Sequence, residues 1–325
     1  MQLFSFRSAN ALAQAPAWRA PLLTVIVAGL AWVLFPDQLG LLSHIAIMAL
    51  LVVSLDLVVG VAGLATLGHG TFFGVGAYAA GIFAGRVSGD PLLGLVVAMG
   101  VGASLALITG LFLLRYQGFT FLMLTVAVVQ ICANLAQKMR PWTGGDDGLS
   151  NFTMSPLFGV FEFDLEGRIG ALYVIAVLGI GFWLAKRLVQ SPFGLAVRGV
   201  HENRARMAAL GTPVFKRLLG MYVFAGALAG VAGALSAQIN GIVALDSLSF
   251  ALSAEILVML ILGGTGTLNG AVIGAVVFTL LHHTAASINP YHWLFVIGGA
   301  LMIVVIFPPR QWRALWLRFQ ARRTA

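Results

Sequence analysis

Apolar residues run through this chain in long blocks, and the polar residues fall almost entirely between the blocks. Runs close to membrane-crossing length occupy residues 21–35, 41–60, 92–114, 119–137, 169–188, 218–239, 271–288 and 292–307. Two more are interrupted by glycine: 63–85, GLATLGHGTFFGVGAYAAGIFAG, and 253–262, which leads into GGTGTLNG at 263–270. If both of these cross, the pattern predicts about ten helices. Hydropathy leaves open whether either is re-entrant, because a broken helix is permitted at membrane depth where protein or a cavity covers it. The run 119–137 is polar for its depth, with Thr120, Thr125, Gln130 and Asn134. In 218–239, Gly226, Gly230 and Gly233 have the small-residue spacing that lets helix backbones approach. The expected fold class is an all-α polytopic membrane protein.

Two polar stretches stand out between the runs. Residues 138–168 form a long loop containing TGGDDG at 143–148. Residues 191–219, SPFGLAVRGVHENRARMAALGTPVFKRLL, hold a short helical pattern bounded by Pro192 and Gly194 on one side and Gly211 and Pro213 on the other. Read as one helix, it places Val200, Met207 and Leu210 on one face. Arg198, Glu202 and Arg206 fall on the opposite face, where Glu202 can pair with either arginine. Gly211 suits a helix C-terminus, and Thr212-Pro213 suits an N-cap followed by the first turn of the next helix. On the residues alone, a docking element and a solvated connecting helix fit equally well.

Composition agrees with the pattern and excludes a soluble domain. Of 325 residues 60% are hydrophobic and 9% charged, against about 25% charged in soluble proteins. The single cysteine, Cys132, rules out a disulfide framework. Arg7 and Arg19 precede the first run, which lacks a small-residue cleavage site and reads as a retained span. A formal net charge of +8 would be compatible with nucleic acid, but its placement gives another reason. With the N-terminus inside and ten alternating spans, 15 of the 19 Lys and Arg fall on the inner side, as the positive-inside rule requires. The exceptions are Arg86, Lys138, Arg140 and Arg168.

Little covalent chemistry is on offer. The chain has no HExxH, GxSxG, P-loop or CxxC signature. Its histidines are His44, His69, His201, His282, His283 and His292, and the adjacent pair points about 100° apart on a helix, a poor metal site. Asp56 and Glu255 lie within apolar runs, where each costs about 2.5–3.5 kcal/mol at the bilayer centre. Such acids face a cavity or partner, or cap a helix break. The two glycine breaks match at an offset of 200: Gly63, Gly70 and Gly74 meet Gly263, Gly270 and Gly274, and His69 meets Asn269. Two related halves with a pathway between them would produce this. A multi-span chain with a cytosolic docking element and no nucleotide motif reads as one part of a machine whose ATPase is another polypeptide. An ion-coupled secondary carrier using Asp56 and Glu255, and an integral membrane enzyme, are the competing readings.

Four segments carry a resemblance: LDLVVGVAGLATLGHGTFFGVGAYAAG (55–81), TGGDDGL (143–149), SPFGLAVRGVHENRARMAALG (191–211) and SAEILVMLILGGTGTLNGAVIGA (253–275). They are similar to the permeases of branched-chain amino acid ABC importers, the LivM type. The resemblance implies that 189–217 is a cytosolic coupling region docking an ATPase through Arg198, Glu202, Asn203, Arg206, Ala209 and Gly211. It implies a translocation pathway shaped by the breaks, with Asp56, Thr66, His69, Gly70, Glu255, Thr267 and Asn269 as its candidate residues. It also implies a transmembrane domain at 20–307 with an outer, periplasmic loop at 138–168. The tails 1–19 and 308–325 would lie in the cytosol of a bacterial cell whose inner membrane holds the chain. The implied partners are a second, homologous permease, two ATPase subunits, a periplasmic binding protein and membrane lipid, with no nucleic acid. This chain itself would bind no cofactor or metal, ATP and Mg²⁺ being held by the ATPases. The cargo would be branched-chain or other hydrophobic amino acids, with urea or short amides as the alternative. Where the family's LNLVVGYAG pattern has asparagine, this chain has Asp56.

Overall fold

The computed structural model describes residues 38–150, 152–156 and 167–288, together with scattered positions between 21 and 32 and at 298, 299 and 302. The expected tails 1–19 and 308–325 lie outside the described residues. So does most of the last predicted run, 292–307. In the first run, the described positions 21, 24–26, 28, 29 and 32 are all helical.

Eleven helices follow among the described residues. They are α1 (Leu39–Asp56), which continues into a π-helical turn (Leu57–Val61), α2 (Gly70–Arg86), α3 (Pro91–Leu113), α4 (Phe119–Lys138) and the short α5 (Arg140–Thr143). After them come α6 (Arg168–Gln190), α7 (Pro192–Glu202), α8 (Arg204–Ala209), α9 (Val214–Asn240), α10 (Phe250–Gly263) and α11 (Leu268–Ile288). The β-structure among these residues is one antiparallel bridge, Leu149 to Val243. Among the described residues, six helices are long and apolar enough to cross a membrane: α1 with its π-turn, α3, α4, α6, α9 and α11. The two that adjoin the glycine breaks are shorter, 17 residues in α2 and 14 in α10, so six of the ten expected spans have crossing length among the described residues, and the first and last runs lie largely outside them.

Local chemistry sets the ends. Asp90 caps α3 by accepting the Leu92 N–H, with Pro91 at the first helical position. Ser191 with Pro192 does the same for α7, and Ser249 for α10. Gly241, at φ 67°, ends α9 in the left-handed region.

Two helices form the interior. In the membrane-length window of α1 78% of residues are buried, and in that of α9 72%, against 28% for α3 and 22% for α4. α9 lies between α2 and α3 at backbone contact. A Cβ on Gly233 would overlap the Phe73 carbonyl, and one on Gly230 would sit against the Ala98 carbonyl. Such approach gives dispersion contact where lipid supplies no hydrophobic drive. Gln238 of α9 donates to the Pro91 carbonyl at 2.8 Å and accepts from the Tyr173 hydroxyl at 2.9 Å, joining α9, α3 and α6 at one end. That end also carries the 139–156 loop, where Arg86 donates to the Pro141 carbonyl at 2.6 Å and stacks 3.8 Å over Trp142. The opposite end carries α7 and α8.

Candidate functional site

The two glycine breaks meet. α1 does not stop at Asp56 but widens into the π-turn, with the Ala62 N–H reaching the Leu57 carbonyl at 3.1 Å. Gly63, at φ 71°, then reverses the chain, and Leu64 N–H bonds back to the Val58 carbonyl at 2.9 Å. The second break, between α10 and α11, turns on Gly264 and Gly266, both at positive φ. Asp56, fully buried, accepts the Gly266 N–H at 2.7 Å across 210 residues of sequence. Gly60 lies one turn on, and a Cβ there would overlap both the Gly266 amide and the Asp56 carboxylate. The other carboxylate oxygen of Asp56 is buried without a hydrogen bond. In this conformation Asp56 is thus a clasp between the breaks, with no surface toward a solute.

The strand of chain that leads out of the first break is fixed on three sides. Thr125 of α4 accepts the Leu67 N–H at 3.2 Å, and Thr66 accepts the Gly68 N–H at 3.1 Å. The Gly70 N–H, at the start of α2, donates to Ser253 of α10 at 3.1 Å. His69 is 1% exposed. Ser54 Oγ donates to the Leu51 carbonyl at 2.6 Å, so it accepts from His69 Nε2–H, 2.8 Å away. Nδ1 of the same ring is buried without a partner. The ring meets Phe72 edge-on, and Phe72 meets Tyr222 of α9 in the same way. Thr66, His69 and Gly70 are therefore packed parts of the break. Thr267 and Asn269 are exposed beside the second one, and Glu255 is half-buried on α10, with no hydrogen bond to a described residue.

The breaks do not repeat each other in their contacts. Gly263, Gly270 and Gly274 pack backbone against backbone inside the α10–α11 hairpin, whereas Gly70 and Gly74 pack on Ser253 and Leu248, and Gly63 packs on His201.

The segment after α6 corrects the single-helix expectation. It is two helices, broken at Asn203, whose extended backbone (φ −157°, ψ 100°) lets its side chain accept the Arg206 N–H at 2.9 Å and cap α8. The break takes Leu210 off the buried face, leaving it 71% exposed, while Val197 and Val200 are fully buried. Met207 still packs inward, on Gly199. Glu202 pairs with neither arginine, since the ion pair among the described residues is Arg140–Asp146. Gly211, at φ 81°, ends α8 as expected, with Thr212 N–H bonded to the Met207 carbonyl at 3.0 Å. Thr212 makes no side-chain cap on α9, because Pro213 occupies the N-cap position.

Arg198, Glu202, Asn203, Arg206, Ala209 and Gly211 are all exposed on this element, beside Leu195, 60% exposed. The element also touches the breaks. The His201 ring lies directly on Gly63, where a Cβ would enter it. The exposed surface of α7 and α8, the first break and the second break thus form one continuous chain of contacts: α7 to Gly63, then Asp56 to Gly266. Gly60, Gly266, Ser54, Ser253 and His201 belong to it without having been singled out in the sequence. Two of these act through backbone, which leaves no signature in a side-chain pattern. No cluster of three or more His, Cys, Asp or Glu among the described residues could hold a metal ion. A cavity of about 300 Å³, lined by Gly81, Arg86, Arg140, Trp142 and Phe152 among others, lies at the far end by the 139–156 loop, remote from this crossing.

Comparison with known proteins agrees with that architecture. The chain is 26% identical over 317 residues to a high-affinity branched-chain amino acid transport system permease protein, LivM, of Salmonella typhimurium, covering 89% of this chain and 73% of that one. It is equally similar, over the same length and coverage, to LivM of Escherichia coli. The galactose/methyl galactoside import permease protein MglC of Escherichia coli is 25% identical over 228 residues, covering 65% of each chain. No solved structure matches. The family described as branched-chain amino acid transport system / permease component matches residues 38–306, and the chain belongs to it.

Proposed function

We propose that this chain is a membrane subunit of a binding-protein-dependent ABC importer, carrying branched-chain amino acids across a bacterial inner membrane. The observation that carries the reading is the contact chain from an exposed, amphipathic element, α7–α8, to two helix breaks clasped by Asp56. A docked ATPase that displaced α7 would act on Gly63 through His201 and on the second break through Asp56. The chain performs no covalent step; ATP and Mg²⁺ belong to two ATPase subunits. A second, homologous permease completes the pathway, and a periplasmic binding protein delivers the cargo to the end that holds the 139–156 loop. Both termini lie in the cytosol, on the side of α7 and α8.

The similarity to a galactoside permease favours sugar as a second cargo to test, beside urea. The experiment is reconstitution of this chain with its companion permease, ATPases and binding protein in proteoliposomes. Uptake of labelled leucine, urea and galactose is then measured with and without ATP. Leucine uptake that needs both ATP and the binding protein is expected. Uptake by this chain alone, driven by an ion gradient, would replace the importer reading with that of a secondary carrier.

A further inference from the structure

Two helices leave most of their surface uncovered, and the chemistry of that surface differs between them. On α3 the exposed positions are Leu92, Leu93, Val96, Met99, Leu107, Ile108, Leu111 and Phe112. The hydroxyl among them, Ser104, is tied back to the Val101 carbonyl at 2.8 Å. Such a face is suited to lipid. On α4 the exposed face carries a seam of Met123, Ala127, Gln130 and Asn134, spaced by four, three and four, so the four stack on one side of the helix, with exposed Phe119 at its start and Ile131 and Leu135 along its flank. The opposite side, through Phe121, Thr125 and Val129, is buried on the protein, with Thr125 holding the first break.

Gln130 lies about 16 Å along the axis from Phe119 at ~1.5 Å per residue, close to the middle of a ~30 Å hydrocarbon core. Its side-chain amide makes no hydrogen bond to a described residue. Asn134 uses one N–H on the Gln130 carbonyl, at 2.7 Å, and its side-chain oxygen has no bond to a described residue. Amides have two donors and two acceptor lone pairs to satisfy, and hydrocarbon offers nothing to satisfy them. The seam therefore does not face lipid.

Resting on the importer reading above, we propose that Met123, Ala127, Gln130 and Asn134 line the water-filled solute pathway, with the second membrane subunit across it. α4 then has a job on each side, holding the break through Thr125 and forming the pathway wall through its amides. Amides both donate and accept but carry no charge. They suit a zwitterionic or neutral polar solute, which needs hydrogen bonds in transit and would be held too tightly by a fixed ion.

The test is thiol accessibility in the assembled complex, in a Cys132→Ala background. Single cysteines at Ala127, Gln130 and Asn134 are compared with cysteines at Val96 and Ile108 of α3, using a membrane-impermeant maleimide. Because only a hydrated thiolate reacts, the α4 set should label about tenfold faster than the α3 set. Equal rates in the two sets, or no labelling at Gln130, would overturn the proposal even if the complex transports leucine. Labelling at Gln130 in a complex without ATP-driven uptake would support the water-facing seam and count against the importer reading alone. As a second measurement, Gln130→Leu with Asn134→Leu should lower uptake about tenfold or more at unchanged membrane abundance and ATPase co-purification. Uptake unchanged in that variant would also overturn the proposal.

Discussion

Asp56 accepts one hydrogen bond, from the Gly266 N–H, and its second oxygen is buried without a partner. The hydrogen bond and the charge are thus separable by substitution. Asp56→Asn keeps an acceptor for Gly266 and is expected to assemble and transport. Asp56→Leu leaves a partly buried N–H unpaired and should lower stability by about 1–3 kcal/mol, read as thermal unfolding of the purified complex in detergent. An Asn variant as unstable as the Leu variant would show that the charge, and not only the hydrogen bond, holds the second break. Gly60→Ala should be as damaging, by about 1–3 kcal/mol, because the added methyl group overlaps both the Gly266 amide and the Asp56 carboxylate that holds it. The acid at position 56 was conspicuous in the sequence as a costly residue at membrane depth. Its partner was not, since an N–H at position 266 is the same chemical group at any residue but proline.

Elements show where periodicity misleads. The spacing of Val200, Met207 and Leu210 is helical, yet the helix is broken between the first two by Asn203, whose side chain bonds the backbone of Arg206 in place of continuing the ladder. Asn203→Ala removes that cap at a cost of about 1 kcal/mol and allows α7 and α8 to fuse, which would rotate Arg206 and Ala209 relative to Glu202. ATPase co-purification with that variant should fall while membrane abundance holds. Glu202 is exposed and makes no ion pair with Arg198 or Arg206, so Glu202→Lys disturbs nothing within the chain. It should still abolish ATPase co-purification, and full yield of the complex would move the docking face elsewhere on α7. In α9 the small-residue spacing did foretell close packing. Gly230→Val, driven into the Ala98 carbonyl, should reduce the amount of folded chain in the membrane, measured against Gly241→Asn, where open space surrounds a left-handed position that asparagine tolerates.

Over the whole molecule, charge placement implies an orientation that the structure makes testable at its two ends. A cysteine replacing Asp147, in the loop bridged to Val243, should react with an impermeant thiol reagent added outside intact cells. One replacing Arg206 should react only after permeabilisation. The reverse pattern would invert the topology and place α7 and α8 away from any cytosolic ATPase. The sequence by itself determined that the chain is helical and membrane-embedded, where its long helices lie, that Gly211 ends the short helix before α9, and that polar groups at Asp56, Gln130 and Asn134 needed an explanation. These follow from short-range physics: hydropathy over twenty residues, capping over four, and the cost of a polar group in hydrocarbon. Only the tertiary structure decided that the two glycine breaks meet, that α7 rests on the first of them through His201, and that α1 and α9 are buried while α3 and α4 are not. Those outcomes depend on backbone approaching backbone between residues as far apart as Asp56 and Gly266. A glycine that permits such an approach leaves the same mark in a sequence as a glycine that permits a turn.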